Sequence, residues 1–240
     1  TGVQTCALPI CLPLVPSNFD FSNYTKILFN DKMVRDGVSN SLILAVSSGI
    51  FAMLLGVMIA YVIIKIKPKG KGALEFLATL PYSLPGTVLA IGVILAWSGK
   101  ILNINLYNTL WIIFIAYIAR YLSFSMNAAS AALRQVHPSL EEASRSCGAS
   151  HTESLKDITL PLIRPAMLSG FFLIFLPAMR ELTTSSLLYG PYTRTLGVAI
   201  YMLRSDGYYT QASALATLTI LLIVVVNWII NFITKERKGV

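Results

Sequence analysis

"SLEEASRSCGASHTESLKDITLPLIRP", residues 139–165, lies between two long apolar runs and carries four acids and three bases, or four with His151. So polar a stretch needs a reason in the chain that surrounds it. Ser139 with Glu142 three residues on has the spacing of a capping box, in which hydroxyl and carboxylate reciprocally satisfy free backbone N–H groups at a helix start. A helix is therefore predicted from Leu140. Gly148 is the residue type suited to end it in a left-handed conformation. Ser150 and Glu153 repeat the box, so a second helix is predicted from near His151 towards "ITLP". Leu140, Ala143 and Cys147 share one face of the first helix, with Glu141, Arg145 and Ser146 elsewhere on it. A helix so short is unstable alone and must dock, either on the protein's own helix ends or on a partner subunit.

The surrounding chain reads as membrane. Of 240 residues, 55% are hydrophobic and only 12% charged, and the mean hydropathy is +0.67, outside the range of a soluble domain of this size. A membrane helix needs roughly 20 mostly apolar residues. Five segments qualify: 41–64, 73–98, 106–131, 162–188 and 210–233. "CLPLVPS", from Cys11, has the look of a sixth span cut short. The first ten residues, "TGVQTCALPI", look like the in-frame translation of a sequencing adapter and are set aside. The natural sequence is expected to begin near Cys11, inside a longer protein, with 11–240 as one transmembrane domain.

The net charge of +8 does not signal nucleic acid, because the bases sit in short runs between apolar segments. Lys65, Lys67, Lys69 and Lys71 occupy the first hairpin. Arg134, Arg145, Lys156 and Arg164 lie in the polar loop, about 134–164, and Lys235, Arg237 and Lys238 near the end. If every span crosses once, all three groups fall on one side, which is then cytoplasmic. Residues 17–39, 99–105 and 189–209 face outward, with Trp97 and Trp111 at the outer interface and Trp228 nearer the inner one.

Within the spans, Gly49, Ala52, Gly56 and Ala60 form a small-residue face for close helix approach. "PYSLPG", with Pro81, Pro85 and Gly86, interrupts the second span. Broken backbone at membrane depth survives only buried in protein or lining a cavity, which leaves a packed kink and a translocation-path element as equal readings. Arg120 and Glu181 fall inside apolar segments, where ionisable groups are costly. They are expected either to pair, with Arg180 competing for the acid, or to reach an interface and an outer loop respectively.

Glu142-Ala143-Ser144, three residues, Gly148, nine residues, then Ile158, Thr159, Leu160 and Pro161 resemble the EAA signature of ABC importer membrane subunits, with Ser144 replacing the second alanine. The resemblance implies an all-α, polytopic transmembrane bundle of the type I ABC importer permease kind, with five complete spans plus the truncated one. It implies a bacterial inner-membrane location, with this loop and the C-terminus cytoplasmic. The loop would be the coupling helix: Glu142 faces a separate ATP-binding subunit, present as a dimer, Ala143 and Ser144 permit close approach, and Gly148 makes the turn. Gly148→Asp is expected to uncouple transport from ATP hydrolysis while leaving membrane insertion intact. The further partners implied are an extracytoplasmic solute-binding protein, membrane lipid, and a second permease half, fused in the natural chain or supplied by a second copy of this one. "LPYSLPGTVLAIGVILAW" and "PAMRELTTSSLLYGPYTRTLGVAIYML" resemble ferric-iron permeases first, with those for thiamine, 2-aminoethylphosphonate and polyamines similar.

The chain is not itself expected to be an enzyme. No phosphate-binding G-x-x-x-x-G-K-[ST] loop, H-E-x-x-H or G-x-S-x-G occurs. Cys6, Cys11 and Cys147 have no paired spacing, and His137 and His151 read as solvated loop residues, so neither metal nor cofactor is expected. The rival of a different class is a secondary transporter, which suits broken helices and buried charges but leaves the polar loop unexplained.

Overall fold

The computed structural model describes residues 22–25, 27, 31–99 and 104–236. The adapter-like residues 1–10 and the truncated span at Cys11 lie outside them. The described residues are helical, with one isolated bridge between Ser98 and Asn105. Two compact units are formed, residues 36–199 and the terminal segments up to 35 and from 200.

In chain order the helices are α1 (Ser22–Thr25), α2 (Lys32–Tyr61), α3 (Lys71–Ser83), α4 (Gly86–Trp97), α5 (Leu110–Gln135), α6 (Pro138–Ser146), α7 (His151–Ser154), α8 (Leu160–Met179), α9 (Ser185–Leu188), α10 (Leu196–Ser205) and α11 (Tyr209–Glu236). Two π-helical segments extend them: Val62–Ile66 continues α2, and Leu155–Thr159 joins α7 to α8. Lys67, at φ 52°, closes the first of these by donating its N–H to Val62 O.

Four helical runs are long and apolar enough to cross a membrane: Lys32–Ile66, Leu110–Gln135, His151–Met179 and Tyr209–Trp228. The expected second span, 73–98, falls on the bent pair α3–α4, whose axes differ by 112°, the geometry of a broken span or of a re-entrant loop. Leu84 between them is extended, as a residue before proline must be, and Pro85 opens α4. The expected fourth span, 162–188, is corrected. α8 stops at Met179 and α9 resumes only at Ser185, the turn between them held by Thr184 N–H donating to the Glu181 carboxylate. The first span starts earlier than expected, at Lys32, and the stretch 189–209 contains α10.

In the unit of residues 36–199, α5 is the central post, packed against α3, α4, α8 and α9. Its small residues set the closeness. Ser125 Oγ donates to Ala52 O of α2 at 2.7 Å, and a Cβ on Gly56 would sit 2.7 Å from Met126 N. Towards the polar loop, Val57, Ala60, Ile63, Met126, Leu133 and Ile163 form a buried apolar cluster. At the other end, Asn40 donates to the carbonyls of Tyr192 (3.1 Å) and Arg194 (2.9 Å), while Ser41 Oγ accepts from Leu196 N–H at 2.7 Å. In the second unit α1 packs on α11, where Ala212, Ala214 and Leu215 are buried.

Candidate functional site

Two helix breaks meet at the middle of α5. Leu84 at the α3–α4 break has a carbonyl without a helical partner, and Arg120 Nη1 donates to it at 3.4 Å. The same side chain reaches the α8–α9 break, where its Nε lies 3.6 Å from Glu181 Oε2. Arg180, the nearer base in sequence, is exposed.

Glu181 is buried and fully engaged. Oε2 also accepts from the Tyr121 hydroxyl. Oε1 accepts from Thr183 Oγ1 at 2.6 Å and from Thr184 N–H at 2.9 Å, so the carboxylate caps the turn that leads into α9. Tyr117 secures α9 itself through a 2.6 Å hydrogen bond with Ser185 Oγ. Gly86 permits the approach, since a Cβ there would collide with the Thr183 side chain and lie 3.0 Å from Thr184 Oγ1. Beside this junction is a cavity of about 360 Å³ lined by Tyr82, Arg120, Tyr121, Phe124, Arg180 and Thr183 among others. Tyr82 and Phe124 meet there edge to face at 4.8 Å. Of the sequence candidates, Gly86, Arg120 and Glu181 thus come together, with Pro81 and Pro85 shaping the bend beside them.

The second feature is the polar loop. Its first helix begins at Pro138, two residues before the predicted Leu140, and the predicted Ser139–Glu142 box does not form. Pro138 is pre-organised for the first helical position, which puts Ser139 and Glu142 inside the helix and leaves the capping to His137, whose Nδ1 accepts from Ser139 N–H at 3.3 Å. Gly148, at φ +95°, ends α6 as predicted. Gly148 N–H donates to Arg145 O (2.9 Å) and Ala149 N–H to Ser144 O (3.2 Å), the paired bonds of a Schellman turn. The second box forms: Ser150 N–H donates to Glu153 Oε2 at 2.7 Å and Glu153 N–H to Ser150 Oγ at 3.3 Å. The backbone bond from Ser150 holds the Glu153 carboxyl below its ordinary value.

α6 buries none of its residues. Glu142, Ala143, Gly148 and Pro161 are exposed, and Ser144, Ile158 and Leu160 half-buried. A nine-residue helix with an open face is not self-sufficient.

The sequence reading missed Glu141 as a structural centre. Its Oε1 lies 3.0 Å from Lys65 Nζ and accepts from Thr159 Oγ1 at 2.6 Å. Burial pushes the carboxyl up, but the Thr159 hydrogen bond, Lys65 and His151 outweigh it, so the carboxyl sits below its ordinary value. An adjoining cavity of about 790 Å³ is rimmed by Lys67, Lys71 and Arg134. The S-x-x-E pattern drew attention to Glu142; no local pattern links Glu141 to Lys65.

Comparison with known proteins gives relatives and a fold. A family model described as "Binding-protein-dependent transport system inner membrane component" matches residues 52–238. A Salmonella typhimurium protein, named provisionally as a 2-aminoethylphosphonate transport system permease, is 29% identical over 84% of this chain and 75% of its own length. The ferric transport system permease protein of Actinobacillus pleuropneumoniae is 33% identical over 83% of this chain but only 29% of its own length. Among solved structures, a bacterial ABC transporter that imports the acidic polysaccharide alginate shares the fold with a TM-score of 0.71, at 21% identity over 91% of this chain and 84% of that one.

Proposed function

The chain belongs to the family of binding-protein-dependent transport system inner membrane components, the permease subunits of ABC importers, and from that premise we propose that it carries ferric iron delivered by an extracytoplasmic binding protein. The observation that carries the iron reading is the 33% identity with the Actinobacillus ferric permease across 83% of this chain, above the 29% of the aminophosphonate relative. In this reading ATP is hydrolysed on a separate dimeric subunit, against which α6 seats from the cytoplasmic side. The C-terminus is cytoplasmic too, and a second permease half completes the pathway.

The coupling surface is Glu142, Ala143, Ser144 and Gly148, with Ile158, Leu160 and Pro161 carrying motion into α8. Closure of the ATPase dimer drives α6, and the spans alternate between outward and inward access. Pro81, Pro85 and Gly86 with Arg120 and Glu181 form the element beside the path. Its support is physical: two interrupted helices share one buried ion pair, and irregular backbone at membrane depth is tolerated where it is buried or lines a cavity.

A second reading, 2-aminoethylphosphonate, is supported by the relative aligned over 75% of its own length and by the guanidinium groups of Arg120 and Arg180 at the 360 Å³ cavity, chemistry suited to a phosphonate. The deciding experiment reconstitutes the full natural permease with its ATP-binding subunit and candidate binding proteins in proteoliposomes. ATP-dependent uptake of radiolabelled ferric iron supports the first reading. Uptake of the phosphonate and not iron replaces it with the second. Uptake of putrescine or thiamine alone contradicts both, and ATP-independent uptake contradicts the importer mechanism itself.

A further inference from the structure

α6 packs on the rest of the chain through α7 and the π-helical segment Leu155–Thr159, so where its side chains attach decides what its displacement can reach. None of its residues is buried, and Glu141 is one of the few that are even half-covered, with its side chain 22% exposed. That one carboxylate touches both neighbouring π-helical segments. Lys65, 3.0 Å away, belongs to Val62–Ile66 at the end of α2. Thr159, 2.6 Å away and fully buried, is the last residue of Leu155–Thr159, where the loop enters α8. Lys65 is held in turn by the Val136 carbonyl at 3.5 Å, just beyond α5.

A π-helical turn is a rare departure from α-helix that is frequent at functional sites, and packed elements move between discrete arrangements, not continuously. Two such turns bonded to one side chain can change together when that side chain moves.

We propose that Glu141 is the positioning residue that ties α6 to the ends of α2 and α8, so that displacement of α6 reaches both spans through its carboxylate. This rests on the reading of α6 as the element that meets the ATP-binding subunit. Glu142 then has the outward task and Glu141 the inward one, adjacent residues aimed at different structures. Tyr61 and His151 flank the contact and Lys65 neutralises it, so the link is specific to an acceptor at this position.

The test uses the complete natural transporter with its ATP-binding and solute-binding subunits, and reads solute moved per ATP hydrolysed. Glu141→Ala is expected to lower that ratio roughly fivefold, within the range that residues of a coupling network command. Thr159→Val is expected to lower it less, and Glu141→Gln to fall between the natural residue and alanine because it keeps an acceptor for Thr159. Combining Lys65→Glu with Glu141→Lys should recover part of the loss of either single change. An intact complex in which Glu141→Ala leaves the ratio unchanged overturns the proposal. So does a parallel fall of transport, hydrolysis and subunit recovery, which marks a merely structural role, or a charge exchange no better than its single changes. If the natural chain recruits no ATP-binding subunit, the reading of α6 fails and this inference with it.

Discussion

Arg120 Nε lies 3.6 Å from Glu181 Oε2, and through this pair the middle of α5 joins the α3–α4 break to the α8–α9 break. The two partners are not equivalent. Arg120 also donates to one carbonyl, whereas Glu181 accepts from Tyr121, Thr183 and the Thr184 backbone.

Removing one partner of a buried pair costs about 3–5 kcal/mol, largely because the other is left uncompensated. Glu181→Leu also strands three donors, at roughly 1–3 kcal/mol for each that stays buried. Glu181→Leu is therefore expected to lower the melting temperature of the detergent-solubilised transporter further than Arg120→Leu does. Equal losses would contradict this account of the junction.

Gly56 is a position of close approach, where a Cβ would overlap the Ser125 side chain and Met126 N. Gly56→Val is expected to destabilise by about 1–3 kcal/mol, the usual cost of overpacking. Gly92 provides the contrast, since nothing lies within 4 Å of its added Cβ. Gly92→Ala should be neutral or stabilising by up to about 1 kcal/mol, through helix propensity. Thermal unfolding of the two variants side by side checks both.

At Gly148 the constraint is purely conformational. Its φ is +95° and an added Cβ meets nothing within 4 Å. Within this chain nothing limits side-chain size there, so tolerance of positive φ decides, asparagine being better adapted than β-branched valine. Gly148→Val should reduce solute moved per ATP more than Gly148→Asn. Equal ratios in the two variants would show that the turn geometry is not what matters.

The Glu141 carboxyl is held below its ordinary value, which fixes the sign of a pH effect. A group depressed in the folded state contributes stability that is present above its unfolded value and lost as pH falls through the folded one. The natural protein should therefore lose more melting temperature than Glu141→Gln as pH is lowered through and below the ordinary carboxylate range. Parallel pH profiles for the two proteins would contradict the assignment.

The long apolar helices α2, α5 and α11 were legible from apolar length alone, and the bend after Ser83 because two prolines stand four residues apart. The end of α8 was not. The expected segment ran on past Arg180, Glu181 and the Thr-Ser run to reach Leu187 and Leu188, and the nearer signal, Pro177, is followed by two more helical residues. The start of α6 was misplaced because the S-x-x-E pattern is weaker than a proline already set for the first helical turn. Contacts such as Glu141 with Lys65, or Asn40 with the Tyr192 and Arg194 carbonyls, join residues far apart in sequence, where periodicity carries no information. The Gly148 turn and the Ser150–Glu153 box were the most readable parts of the candidate site, because a left-handed glycine and a cap are local requirements.

The central claim is that α6 seats on an ATP-binding subunit, and Cys147, a free and exposed thiol at its C-terminal end, allows it to be tested directly. A thiol-directed photocrosslinker placed there in the full natural permease, co-expressed with its ATP-binding subunit, should yield an adduct with that subunit. The yield should change between the nucleotide-free and ATP-trapped states, and Cys147→Ser should abolish it. Complete labelling of Cys147 without any adduct to the ATP-binding subunit in either state would contradict the account.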